Sequence, residues 1–430
     1  MAQKKKLATL TPEERLQAAL VPDWEQPYKV PENWCWVKLI ESFSNHTDSK
    51  KKIQQKEYRP EGKLAVVDQG QGLIGGYTND VAKSYSGILP VVIFGDHTRC
   101  IKFVDFPFAQ GADGVKVLRP KKFYQPKAYF YALQSINIPN MGYRRHFPIF
   151  NQFSIPLPPL PEQQRIVDRI ESLFAKLDEA KEKAQAVVDS YEIRKAAILH
   201  KAFTGELATK WREQNGINNT GYNERRFDEV AIIKSNLVDP VNYQNYPHIA
   251  PDNIEKKTGV LLEYHTIAED GVKSGKHRFF PGQILYSKIR PNLSKVVIVD
   301  FDGLCSADMY PIEAIGDARC LWYFMLSENF LEQASSAGSR SVLPKINQKE
   351  LSALTVTIPD SIEEQREIAK IIDSLFAKEY RTKEIAGGVL EQIDTIKKSI
   401  LSRAFRGELG TNDPSEESAV ELLKQVLEKE

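Results

Sequence analysis

EQQRIVDRIESLFAKLDEAKEKA, beginning at Glu162, and EEQREIAKIIDSLFAKEYRTKEIA, beginning at Glu363, are two versions of one helical phrase. Ser172-Leu-Phe-Ala-Lys176 recurs as Ser374-Leu-Phe-Ala-Lys378, and Ala202-Phe-Thr-Gly-Glu-Leu207 recurs as Ala404-Phe-Arg-Gly-Glu-Leu409, each 202 residues later. A register kept at both ends of so long a segment marks an internal duplication. In the first copy Ile166, Ile170, Leu173, Leu177, Ala180, Ala184, Val187, Tyr191 and Ile198 follow alternating four- and three-residue steps, the seam of a coiled coil. The second copy sets Ile368, Ile372, Leu375, Ala386, Val389, Ile393, Ile396 and Ile400 on the same seam. Prolines before the copies (Pro161, Pro359) and glycines after them (Gly205, Gly407) punctuate the ends. Each copy is expected to be one long helix of roughly 60–70 Å, and two seams of like length satisfy each other when packed antiparallel.

The seam has irregularities. Glu379 stands where the first copy has Leu177, and Arg194 stands where the second has Ile396. Gly387-Gly388 should weaken the second helix by about 1 kcal/mol each relative to alanine, or, with Ala184 and Ala186, let the helices approach closely.

Outward from the helices lie two segments that share no such identity. KLAVVDQG, GILPVVIFGD and CIKFVDF in the first, and GQILYSKI and KVVIVDFDG in the second, are strand signatures. Each segment also carries a helix-like stretch towards its end, YFYALQSI or LWYFMLSENFLEQA. The expected architecture is α+β: two α/β domains separated by two long antiparallel coiled-coil helices with pseudo-two-fold symmetry. The boundaries are an N-terminal segment 1–30, a first domain 31–160, a first helix 161–207, a second domain 208–360, a second helix 361–409 and an amphipathic tail 410–430.

Composition narrows the class. The 430 residues carry a formal charge of +1, so only local charge can point to a partner. Cys35, Cys100, Cys305 and Cys320 show no metal-like spacing, which suits a reduced, cytoplasmic protein. The start, MAQKKKLATLTPEERL, lacks the apolar core of a signal peptide, and no apolar run approaches the length of a membrane helix.

Locally the charge is uneven. From Gly114 to Pro161 there is no acidic residue, while Lys116, Arg119, Lys121, Lys122, Lys127, Arg144 and Arg145 alternate with aromatic residues such as Tyr124 and Tyr143. From Gly271 to Val299 there is again none, against Lys273, Lys276, Arg278, Lys288, Arg290 and Lys295. A near-neutral domain with a locally acid-free face has the footprint of phosphate binding. The candidate DNA contacts are these cations except Lys127, with Arg99, Tyr124, Tyr143, His146, Asn292 and Arg340. The loops Gly142-Tyr-Arg144-Arg145-His146 and Gly338-Ser-Arg340-Ser341 stand at comparable places before each repeat helix and are the candidates for base reading.

No catalytic or metal site is expected. Gly70-x-Gly72-x-x-Gly75 has a dinucleotide-binding spacing, but the following YTNDVAKSYSG offers no apolar face for a crossover helix. Gly271-x-x-x-Gly275-Lys276 is one residue short of a phosphate-binding loop and continues with His277. HExxH, GxSxG and the Asn/Asp-Pro-Pro-aromatic tetrapeptide are absent, and Asp96, His97 and Asp308 are better read as turn residues than as a catalytic cluster.

IPLPPLPEQQRIV leading into a helix that ends AILHKAFTGEL, with its second copy ending SILSRAFRGEL, resembles the specificity subunit of type I restriction-modification enzymes. Pro31-Glu-Asn-Trp34-Cys-Trp36, GDHTRCIKFVDFPFAQGADGVKVL and ILYSKIRPNLSKVVIVDFDGLCSADMYPI look like the openings and centres of that family's target-recognition domains. The resemblance implies that each domain reads one half of a bipartite, asymmetric site in double-stranded DNA, with the helices setting the gap. It implies two methyltransferase subunits, which flip out an adenine for methylation, and two restriction/translocase subunits. The chain would be non-catalytic and bind no cofactor, with S-adenosylmethionine, ATP and Mg2+ on the partner subunits. Two rivals stand beside this: a stand-alone site-specific DNA enzyme, and a coiled-coil assembly protein with no DNA role, which predicts no steep salt dependence of binding.

Overall fold

The computed structural model describes residues 11–142, 144–217, 221–338 and 344–429. Packing divides the chain into two units, Met1–Lys183 with Val389–Glu430, and Ala184–Gly388.

Unit 1 contains helix α1 (Pro12–Ala19) and strands β1 (Cys35–Lys38), β2 (Phe43–Asn45), β3 (Leu64–Val67), β4 (Gly76–Thr78), β5 (Val91–Gly95), β6 (Ile101–Val104), β7 (Phe108–Gln110) and β8 (Val115–Pro120). Helices α2 (Pro126–Gln134) and α3 (Phe147–Phe150), strand β9 (Ser154–Leu157) and most of helix α4 (Leu160–Asp189) follow. The apolar runs form strands because both faces are covered: every residue of β3 and of β5 is buried. One sheet has the order β2-β8-β5-β6, a second β4-β3-β7 with β3 and β7 parallel, and β1 pairs antiparallel with β9. That last pair brings the two ends of the domain together beside the start of α4.

Unit 2 continues with α5 (Tyr191–Phe203), α6 (Thr209–Gln214), β10 (Tyr222–Arg226), α7 (Phe227–Val230), β11 (Ala231–Ile233), β12 (Leu237–Val238), β13 (Pro247–Ile249) and β14 (His265–Thr266). Strands β15 (Lys276–Phe279), β16 (Ile284–Ser287), β17 (Val296–Ile298), β18 (Gly303–Cys305) and β19 (Met309–Ala314) precede α8 (Ala318–Met325), α9 (Glu328–Ala337), α10 (Gln348–Ser352), β20 (Thr355–Pro359) and α11 (Ile362–Ala404). The topology of unit 1 returns strand for strand: β11-β19-β16-β17 repeats β2-β8-β5-β6, the parallel pair β13 and β18 with β14 outside repeats β3, β7 and β4, and β10·β20 repeats β1·β9. Unit 2 adds β15 and β12 on the free side of β18. The helix-like stretch LWYFMLSENFLEQA is split in two, because Ser327 caps α9 through the Phe330 N–H.

The first and last described helices meet within unit 1. Leu16 and Ala19 of α1 pack in one core with Ala419, Leu423 and Leu427 of α12 (Ala419–Glu428). The tail thus completes unit 1.

The repeat helices depart from the seam expectation at three points. The first copy is two helices, interrupted at Ser190, whose hydroxyl donates to the Ala186 carbonyl at 2.5 Å and competes with the helical ladder. The second copy is continuous, and a Cβ added at Gly387 or Gly388 would meet no atom within 4 Å, so the glycines do not mark a close approach. Ile166, Ile170, Ile368, Ile372 and Ile393 are buried and Leu173, Leu177, Ile198, Leu375 and Ile400 half-buried, but Ile396 is 40% exposed. There the inward side of α11 runs through Ile393, Lys397, Leu401 and Ala404, because a straight helix of 3.6 residues per turn drifts off a 3.5-residue pattern. Packing is antiparallel inside each unit. In unit 1 Ile166 and Ile170 share a core with Leu401 and Ala404, while Lys397 reaches Asp178 at 2.5 Å and lies over Phe174. In unit 2 Arg194 reaches Glu379 at 2.6 Å, and Ile198 and Ala202 pack in one core with Ile368 and Ile372.

Candidate nucleic-acid interface

Each domain is fixed to its repeat helix by a duplicated joint. In unit 1 the Gln163 amide donates to the carbonyls of Phe123 and Pro158 at 2.9 Å and accepts the Gln125 N–H, at the start of α2, at 2.7 Å. In unit 2 Gln365 donates to the Pro359 carbonyl and accepts the Asp317 N–H, at the start of α8, both at 2.7 Å. Glu171 takes the ammonium of Lys127, and its equivalent Asp373 takes the Arg319 guanidinium and the Tyr323 hydroxyl. Tyr131 stands edge-on to Phe174 as Tyr323 stands edge-on to Phe376, with centroids 6.0 and 5.6 Å apart. Burial and the Glu171 carboxylate push the Tyr131 phenol up to about 12, so it remains a donor.

Next to Gln163, buried Glu162 accepts from Trp34 Nε1 at 2.6 Å, Asn412 Nδ2 at 2.8 Å and Thr411 Oγ1 at 3.2 Å. Its equivalent Glu364 is buried against Arg212 at 2.6 Å. Sequence reading passed over these groups. A signal existed in the identical polar residues opening two apolar helices. The domain-side partners, Lys127-x-x-x-Tyr131 and Arg319-x-x-x-Tyr323, lie 192 residues apart and so outside the 202-residue register.

The joints hold a rim on each domain. In unit 1 the β5–β6 turn meets the loop before α3: buried His146 places Nδ1 3.0 Å from the Asp96 carbonyl, and Asp96 Oδ1 accepts the Phe147 N–H at 2.8 Å. Arg99 takes a left-handed backbone (φ 62°) in that turn and donates to the Ile138 carbonyl at 3.0 Å. Lys116 lies over Phe147 and 3.8 Å from Asp96. Arg144 and Arg145 project from this rim, exposed and with no ion pair among the described residues.

In unit 2 the equivalent β16–β17 turn meets the chain before α10, with the Arg290 N–H donating to the Pro344 carbonyl and the Ile346 N–H to the Lys288 carbonyl. Arg290 and Asn292 are exposed there. Lys345, which sequence reading did not single out, joins them and binds Asp308 at 2.9 Å. Tyr143 and Arg340 lie outside the described residues.

Three candidate contacts, Tyr124, His146 and Lys276, are corrected by burial. Tyr124 is a core residue whose hydroxyl donates to the Pro156 carbonyl. His146 is sealed, with Nε2 accepting the Met141 N–H at 3.1 Å. Lys276 is buried with its ammonium on Ser274, and burial lowers its pKa. The acid-free stretches are not acid-free in space. Lys127 meets Glu171, Lys288 lies 4.0 Å from Asp308, Lys295 3.5 Å from Asp252 and Arg278 3.9 Å from Asp302, each acid coming from outside the stretch. Arg119, Lys121 and Lys122 lie at or just beyond the end of β8 opposite the β5–β6 turn, the first two half-buried, and Lys273 is exposed in the connection between β14 and β15.

The geometry offers cationic and polar side chains on rigid turns, suited to phosphate and base-edge contacts. Among the described residues no group of three or more His, Cys, Asp or Glu is placed to hold a metal ion, and no helix is long and apolar enough to cross a membrane. The Gly70–Gly75 glycines lie in the connection between β3 and β4, so that a strand and not a crossover helix directly follows them. A groove of about 690 Å³ in unit 1 is lined by Arg99, Cys100, Lys102, Asp394, Lys397 and Lys398.

The model of the type I restriction modification DNA specificity domain matches this chain twice, at residues 31–188 and 219–386. The chain belongs to this family. Within it, the chain is 40% identical to the type I restriction enzyme EcoDI specificity subunit of Escherichia coli over 279 residues, 60% of this chain and 62% of that one. It is 24% identical to the EcoKI specificity subunit of Escherichia coli strain K12 over 60% of this chain and 58% of that one. These matches span about three fifths of the relatives' lengths. The crystal structure of the HsdS subunit from Thermoanaerobacter tengcongensis has the same fold, with a TM-score of 0.58 and 18% identity over 90% of this chain and all of that one. The two specificity-domain matches fall on the two copies of the domain-and-joint arrangement described above.

Proposed function

We propose that this chain is the DNA sequence-specificity subunit of a type I restriction-modification complex, reading a bipartite, asymmetric site with one domain per half-site. The observation that carries the reading is the duplication. Two domains of one topology sit on equivalent joints, yet their rims present different side chains, Arg99, Arg144 and Arg145 in one and Arg290, Asn292 and Lys345 in the other. Like scaffolds fix like placement, while unlike rims read unlike half-sites. The chain is non-catalytic. Two methyltransferase and two restriction/translocase subunits supply the chemistry and hold S-adenosylmethionine, ATP and Mg2+, and the complex works in the cytoplasm.

The test is to map methylated adenines in the host genome with and without this gene. Loss of a motif of two short half-sites around an unread gap supports the reading, and an unchanged methylome in a host with active partner subunits overturns it. Lengthening both repeat helices by one turn should alter the gap and leave the half-sites alone. Binding of the chain with its methyltransferase should fall steeply with salt, as release of counterions from neutralised phosphates requires.

A further inference from the structure

Among the described residues of unit 2, one cation is held unlike the others. Arg278, on β15, lies over three aromatic rings, with its guanidinium carbon 4.8 Å from the centroid of Phe280, 5.4 Å from Tyr243 and 5.9 Å from Tyr246. Tyr243 and Tyr246 brace each other edge to face at 5.2 Å. The backbone beneath is fixed by the Arg278 N–H donating to the Asn236 carbonyl and by pairing of Arg278 with Leu304. Nε is buried with no acceptor, and the nearest carboxylate oxygen, on Asp302, stands 3.9 Å from Nη2. The side chain as a whole is 29% exposed.

Because Nε has no accessible surface, a partner from outside can meet this fork only through its two terminal nitrogens. Three rings restrain a side chain that would otherwise lose rotamer entropy on binding. Its strand β15 and the neighbouring β12 are the part of unit 2 that unit 1 lacks, and exposed Leu237, Val241 and Phe280 lie on or beside them. An aromatic-walled arginine at such an edge suits nucleic acid.

We propose that Arg278 is a specificity-determining residue of unit 2 that reads a guanine in its half-site. This rests on the DNA-reading function proposed above. Asp302 decides between base and backbone. A carboxylate beside the guanidinium repels a phosphate, whereas the major-groove edge of guanine offers two neutral acceptors to the arginine fork. The cytosine paired with that guanine presents an amino donor, which a carboxylate accepts.

The experiment maps methylated adenines in cells carrying the full complex with the wild-type chain, Arg278→Ala, Arg278→Lys or Phe280→Ala. In Arg278→Ala one guanine of one half-site should become degenerate, with preference for it falling about 10- to 100-fold, while the other half-site and the gap persist. Lysine, which can also donate to the two acceptors of guanine, should keep part of that preference. Phe280→Ala, which loosens the cage with Arg278 in place, should relax the same position more weakly and carries the test should the alanine variant of Arg278 fail to accumulate. A strict guanine retained in Arg278→Ala or, failing that variant, in Phe280→Ala, or uniform fading of both half-sites, overturns the proposal. A wild-type methylome without any bipartite motif would instead remove the reading on which it rests.

Discussion

At the first turn of its repeat helix, unit 1 buries Glu162 among neutral donors, whereas unit 2 buries Glu364 against the guanidinium of Arg212. The position, the residue type and the burial are the same, and the electrostatic solution differs. The same contrast recurs along the helices. Unit 1 has Leu177 and Ile396 at the positions where unit 2 has Glu379 and Arg194, and in unit 2 those two form an ion pair at 2.6 Å. A duplicated scaffold can therefore keep its geometry while its interactions diverge, provided both partners of each contact change together. What looks like two seam defects in the sequence is one compensated pair.

The largest expected effect follows from the buried pair. Glu364→Gln leaves Arg212, whose side chain is 8% exposed, without a counter-charge, and should destabilise unit 2 by about 3–5 kcal/mol. Glu162→Gln keeps an amide oxygen for Trp34 and Asn412 and should cost unit 1 only about 1 kcal/mol. Amide hydrogen exchange resolved by unit is the right measurement, because a chain of two units has no single unfolding free energy. Equal losses of protection in the two units would break the comparison.

A smaller effect should appear at the compensated seam. Arg194→Ile alone leaves Glu379 half-buried without its partner and should cost about 1–2 kcal/mol. The double substitution of Arg194→Ile with Glu379→Leu installs the residue types of unit 1 and should return stability to near or above that of the parent, since apolar packing commonly replaces an ion pair at no net cost. A double variant as unstable as the single one would mean that the two sites are independent. The seam would then be better described as two separate defects.

These contrasts also explain what sequence reading could reach. The repeat was legible because its register is preserved and its apolar period is regular, and β3, β5 and β16 were legible as short β-branched runs that became fully buried strands. The joints were not legible, since Lys127 and Arg319 reach Glu171 and Asp373 across a register that shifts from 192 to 202 residues between α2 or α8 and the repeat helices. Charge was legible in composition and misleading in placement. Lys116 lies 3.8 Å from Asp96 and Lys295 3.5 Å from Asp252, acids that folding brings in from outside the basic stretch. Arg144, Arg145 and Arg290 stayed exposed because their turns project from the sheets.

The smallest effect concerns the glycine pair of α11. In the register of the repeat, Gly387 and Gly388 stand opposite Gln185 and Ala186, so only the second copy carries two residues of poor helix propensity. Neither shows a positive φ, and an added Cβ meets nothing within 4 Å at either. Packing therefore does not require glycine. Gly387→Ala and Gly388→Ala should each raise stability by about 0.5–1 kcal/mol, through reduced backbone entropy of the unfolded chain. The check is slower amide exchange around residues 383–392, with protection in the equivalent stretch of α4 unchanged. Faster exchange would show that the glycines support a conformation alanine cannot, and the two repeat helices would then differ in mechanics as well as in electrostatics.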